Sequence, residues 1–139
     1  MRIRIAVSAA LAVASLGACN TGPTGPIANS ASVTVDGKEK KFNSVKCSQV
    51  EWYRMIEIGG DFSGAKVQVD GRREPVTTQS VRIQNVGGFT GMYSQGDGSD
   101  AANTNLSGGR FTIAGTAHGF KTDKSSEPAT ATFKVVVSC

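Results

Sequence analysis

Most of the chain's capacity for chemistry lies in four residues: Cys19, Cys47, Cys139 and the single histidine, His118. Cys19 closes the run Leu16-Gly17-Ala18-Cys19, which reads as a bacterial lipobox. In such a motif Leu16 fills an apolar pocket of the processing peptidase. Gly17 and Ala18 let the backbone approach closely. Cys19 supplies the thiol that takes a diacylglyceryl group before cleavage. The residues upstream fit this. Arg2 and Arg4 form a basic flank, and Ile5 to Ala14 is apolar except for Ser8. Such a stretch is a secretory leader and too short for a spanning helix.

Lipidation of Cys19 leaves two cysteines, so an odd count becomes even. An exported compartment permits a disulfide between them. Strand parity supports Cys47–Cys139. Val45 and Cys47 share a face opposite Lys46 and Ser48, while Phe133, Val135, Val137 and Cys139 share one near the C-terminus. Both thiols then point to the buried side of their strands.

His118 would have to serve any Ser/His/Asp arrangement. It lies in Thr116-Ala117-His118-Gly119, and the plain reading is an exposed turn histidine. The chain holds no G-x-S-x-G, H-E-x-x-H or C-x-x-C, so neither a nucleophile elbow nor a zinc site is readable. Asp97-Gly98-Ser99-Asp100 lacks the spacing of a calcium loop. Its glycine pairs adjoin strands and open no helix, unlike a phosphate-cradling loop. No catalytic residue, metal or cofactor is expected.

The chain has 139 residues, room for one domain with attachments. Its net charge of +4 falls to +2 once residues 1–18 and their two arginines are removed. Aromatics make up 6%, which argues against a base-stacking surface, and no nucleic-acid partner is expected. We divide the chain into a signal peptide (1–18), a lipidated cysteine and flexible linker (19–32), and a folded domain (33–139). The linker Asn20 to Ser32 carries no charge and holds two Pro and two Gly. Thr21, Thr24, Ser30 and Ser32 could carry O-glycans there, or the segment could be a bare spacer.

From Val33 onward short β-rich runs alternate with turn signals. Asp36-Gly37 and Asp70-Gly71 each signal a turn. Runs follow through Phe42 toward Cys47, then Trp52 to Ile58, Val67 to Val69, Val81 to Val86, Gly91 to Ser94, Phe111 to Ala117 and Thr130 to Cys139. Gln95 to Gly109 is polar and reads as a long loop or a wide hairpin end. No stretch has a helical period with caps. The expectation is an all-β domain: a small antiparallel β-sandwich, or flattened barrel, of seven to eight strands.

Several segments together resemble the mycobacterial 19 kDa lipoprotein antigen family. They are Val33 to Lys38, Val45-Lys46-Cys47, Ile56 to Gly60, Asn85-Val86, Tyr93-Ser94, Gly96 to Ala101, Phe111 to Gly119 and Phe133 to Cys139. Their order and spacing cover most of the mature domain. The resemblance implies an envelope lipoprotein of the cell membrane's outer face, held through acyl chains on Cys19. It maps Cys47 and Cys139 onto a conserved pair, and it brings no catalytic residues. Family members can be glycosylated in the linker, and some are described as adhesins. Their acylated N-terminus is sensed by host Toll-like receptor 2. Here the linker is shorter and poorer in Thr, and Trp52-Tyr53-Arg54-Met55 is bulkier than the family's small polar stretch. Two roles are open for the domain: a non-enzymatic structural, adhesive or immune-facing one, or a carrier of lipid or glycolipid inside the fold. A filled core would count against the carrier.

Overall fold

The computed structural model describes residues 30–139. The leader, the lipobox residues Leu16, Gly17, Ala18 and Cys19, and the linker threonines Thr21 and Thr24 lie outside the described residues. Every regular element described is a strand. They are β1 (Ala31–Val35), β2 (Lys38–Phe42), β3 (Val45–Val50), β4 (Tyr53–Gly59), β5 (Gly64–Asp70), β6 (Thr77–Val86), β7 (Phe89–Ser94), β8 (Asn103–Ser107), β9 (Arg110–Lys121) and β10 (Lys124–Ser138).

All pairings are antiparallel, in the order β2-β1-β10-β9-β7-β6-β5-β4-β3. β9 is long enough to serve two partners on one side. Its first half pairs with β8 and its second half with β7. The sheet rolls until its two outer strands meet. Asn43 and Ser44 carry the chain from β2 to β3, and the Ser44 carbonyl accepts a hydrogen bond from Gly59 N at 2.8 Å. Lys40 Nζ donates to Ser63 Oγ at 2.8 Å, and Ser63 Oγ donates to the Asn85 carbonyl at 2.8 Å. The fold is therefore the flattened-barrel form of the expected class, nearly closed on itself.

Alternation along the strands explains why it closes. Val33 and Val35, Ile56 and Ile58, Val67 and Val69, Val81 and Ile83, Phe111 and Ile113, and Val135 and Val137 all face one interior and are almost fully buried. Glu57, Lys66 and Arg82 point outward from the same strands. Burying each large apolar side chain contributes roughly 1.5–3 kcal/mol. Bulges in β6, between Ile83 and Val86 and between Gln68 and Val69 of its partner, help bend the sheet.

The strand count is ten, above the expected seven to eight. The arm through Phe42 toward Cys47 is two strands, because the chain bends at Asn43-Ser44 to change edges. The segment 95–109 contains β8, held by Thr78 and Thr104, whose hydroxyls lie 2.7 Å apart. β1 starts at Ala31, two residues into the stretch assigned to the linker, because Ala31 packs on the inner face between Phe42 and Val137. Asp36-Gly37 is a tight turn with both φ values positive (48° and 81°). The Asp36 carboxylate accepts from Thr132 N at 2.9 Å, tying the turn to β10. Asp70-Gly71 opens a longer loop instead, because Arg72 captures the Asp70 carboxylate.

Candidate functional site

The disulfide joins Cys47 of β3 to Cys139, just past β10, with the Cα atoms 5.9 Å apart. Both sulfurs pack against the hydrophobic core, as parity predicts. The bond crosses a gap the hydrogen-bond ladder does not bridge, since β3 and β10 stand at separated places in the strand order.

Cys139 lies at the end of the barrel that carries the β8–β9 turn, its N donating to the Gly109 carbonyl at 2.9 Å. Ala31 lies across from Val137, Val137 from Phe111, and Phe111 from Leu106. On the other side of the barrel, Val50 lies across from Tyr53, Tyr53 from Asp70, and Asp70 from Thr77. The Arg54 guanidinium, 5.5 Å from the Phe111 ring centre, links the two rows. An open groove of about 430 Å³ runs between them, lined by Trp52, Arg54, Val69, Val76, Leu106 and Phe111 among others.

Beside this groove a polar cluster is built. Arg72 donates to both Asp70 carboxylate oxygens, by Nε at 3.1 and 3.0 Å and by Nη2 at 2.6 Å. Its guanidinium carbon also sits 5.3 Å from the Trp52 ring centre and 5.8 Å from that of Tyr53. A planar guanidinium suits both roles at once. The Arg72 fork and backbone hold the Asp70 carboxyl down to about 2. No residue pattern signals this pairing beyond the bulk of Trp52-Tyr53; the acid and base are two residues apart and meet because the loop turns back.

His118 is not in a turn. It lies within β9, paired across from Met92 and Thr130, with its side chain exposed. Its Nε2 lies 2.6 Å from Ser99 Oγ. Asp97 is near, but its carboxylate accepts from Ser99 N at 2.9 Å and Ser94 N at 3.2 Å. Those backbone donors hold Asp97 below the usual carboxylate range. The carboxylate is thus committed to the loop backbone, and among the described residues no carboxylate hydrogen-bonds the imidazole Nδ1 to orient it as a base. Tyr93 Oη accepts from Ala102 N at 2.9 Å and fixes the other end of the same loop. Among the described residues no three His, Cys, Asp or Glu side chains gather as a metal cluster.

The interior is occupied by side chains. Tyr93, Phe89, Phe111, Ile56, Ile83 and Ile113 fill its middle, and Tyr93 packs against Phe133 with ring centres 6.0 Å apart. Among the described residues, no buried side-chain polar atom lacks a hydrogen-bond partner, so no orphaned group there awaits a ligand.

Comparison with known proteins places this architecture. The model of the Mycobacterium 19 kDa lipoprotein antigen family matches residues 24–139. The chain belongs to that family. It is 58% identical over 135 residues to a Mycobacterium indicus pranii protein named "Putative lipoprotein", covering 97% of this chain and 96% of that one. It is 33% identical over 114 residues to lipoprotein LpqH of Mycobacterium tuberculosis, covering 81% of this chain and 70% of LpqH. The resemblance drawn from the ordered segments is therefore sound, and the two cysteines it singled out are the bonded pair.

Proposed function

We propose that this family member is exported, cleaved before Cys19, and held at the outer face of the cell membrane by acyl chains on Cys19. The barrel is then an envelope-exposed, non-enzymatic domain with a structural, adhesive or immune-facing role. The observation that carries this reading is Leu16-Gly17-Ala18-Cys19 behind a basic, apolar leader, eleven residues ahead of Ser30. Two acyl chains, at roughly 0.8 kcal/mol per buried CH₂, suffice for stable anchoring. Membership of a lipoprotein antigen family supports it. The acylated N-terminus is the part that host Toll-like receptor 2 would engage. O-glycans on Thr21 and Thr24 would decorate the linker between lipid and barrel.

A non-enzymatic role is supported by the committed Asp97 carboxylate beside the Ser99–His118 pair. A fluorophosphonate probe is expected to leave Ser99 unlabelled. The filled interior does not favour carriage of lipid or glycolipid within the barrel. Cys19→Ala tests the anchor. The wild-type protein should partition into detergent and the variant into the aqueous phase. Equal membrane retention of the two would count against lipidation.

A further inference from the structure

Strand alternation breaks at one position of β4. Ile56 and Ile58 turn into the barrel, and the same parity brings Arg54 to the inner face. Its partners across the sheet are Gln49 on β3 and Val69 on β5, and Val69 is buried. A guanidinium thus stands where the pattern calls for an apolar side chain. It caps the core beside Phe111, with the guanidinium carbon 5.5 Å from the ring centre.

The protein leaves this cation poorly matched. A guanidinium carries five N–H donors. Among the described residues, its side-chain hydrogen bonding amounts to one long contact, from Nη2 to Gln49 Oε1 at 3.5 Å. Carboxylate pairing goes elsewhere, to Arg72 from Asp70. Glu51 shares the groove, but it is exposed at the hairpin tip and makes no ion pair with Arg54.

Around the guanidinium the groove is largely apolar. Its walls include Trp52, Val69, Val76, Leu106 and Phe111, and its volume is about 430 Å³. Small-ligand sites run from roughly 300 to 1,000 Å³. Trp52 and Leu106 are 42% and 40% exposed, so both offer apolar surface to an incoming molecule. An unpaired cation beside such walls is complementary to an anionic head on an apolar body. The planar fork of a guanidinium matches a carboxylate in bidentate fashion. One guanidinium with Glu51 nearby suits a single negative charge, whereas a doubly charged phosphate monoester would be repelled by Glu51.

We propose that this groove binds an amphiphilic carboxylate: one apolar chain ending in a carboxyl group, its head paired with Arg54 and its chain laid along Trp52, Val76 and Leu106. The site lies at the mouth of the barrel, outside the filled interior. It does not depend on the lipid anchor.

Trp52 is the sole tryptophan and lines the groove, which makes it a native reporter. The mature chain, residues 19–139, would carry Cys19→Ala so that no acyl group of its own competes. It would be titrated below micelle formation with decanoate, decyl phosphate or decyltrimethylammonium while Trp52 emission is followed. Decanoate should give a saturable shift. Arg54→Gln should weaken its binding about tenfold or more, the loss of one charge-assisted pair. Leu106→Ala tests the apolar wall from an exposed position on β8 and should weaken it about threefold or more. No saturable shift with decanoate would overturn the proposal. So would unchanged affinity in the folded Arg54→Gln variant, or equal binding of decyltrimethylammonium. Tighter binding of decyl phosphate would overturn the assignment to a carboxylate. A shift that follows protein concentration instead of ligand would give the groove to a second copy of the chain, and the proposal would fall.

Discussion

Cys47 and Cys139 stand 92 residues apart in sequence, and their bond ties β3 to the end of β10. Closing a loop of that length stabilises the native state by roughly 2–5 kcal/mol, mainly by restricting the unfolded chain. Cys47→Ser/Cys139→Ser should therefore lower the unfolding free energy obtained from urea titration by that amount; an unchanged value would contradict the role given to the bond. Asp70 makes a different prediction. Its carboxyl is held at about 2 by Arg72, below the ordinary 3.8. The sign follows from linkage: a depressed folded value gives stability that is present above the unfolded pKa and lost as pH falls toward 2. Asp70→Asn should flatten stability against pH between about 4 and 2, measured by thermal unfolding across that range. These two residue-level devices differed in legibility. The cysteine pair could be read because alternation alone fixes which side of a strand a thiol faces. The Asp70–Arg72 pair could not, because it depends on a loop path that an Asp-Gly dipeptide does not determine.

Among the elements, β7 and β9 pair with Gly91 directly across from Gly119. A Cβ on Gly119 would run into the Thr90 carbonyl oxygen and the Gly91 backbone. Gly119→Val should cost roughly 2–3 kcal/mol in urea unfolding, since backbone on the far side cannot give way. β8 is held more lightly. Thr78→Val removes its hydroxyl link to Thr104 and should cost about 1 kcal/mol. It should also speed amide hydrogen exchange in β8 while leaving β10 protected, measurable residue by residue. β8 was the element hidden in the sequence. In Asn103-Thr104-Asn105-Leu106-Ser107 only Leu106 is apolar, so the strand has no buried face to produce alternation. It exists because β9 outruns β7 and leaves half an edge free. The long strands β9 and β10 were legible for the opposite reason: Phe111, Ile113, Phe133, Val135 and Val137 alternate strictly with polar or half-buried neighbours.

At the scale of the molecule, the barrel has a packed interior and two unlike ends. One carries the β3–β4 and β8–β9 turns and the exposed Val50, Trp52 and Leu106. The other carries the tight turns at Asp36-Gly37 and Gly87-Gly88. Chemistry inside the fold is not where this protein's function points. The proposed reading makes the barrel a packed domain that Cys19 tethers to the membrane. All of it rests on Cys19, so the most direct test is mass spectrometry of the N-terminal peptide from protein made in a mycobacterial host. The account predicts a chain that begins at Cys19 and carries a thioether-linked diacylglyceryl group. An unmodified Cys19, or cleavage at another position, would contradict it.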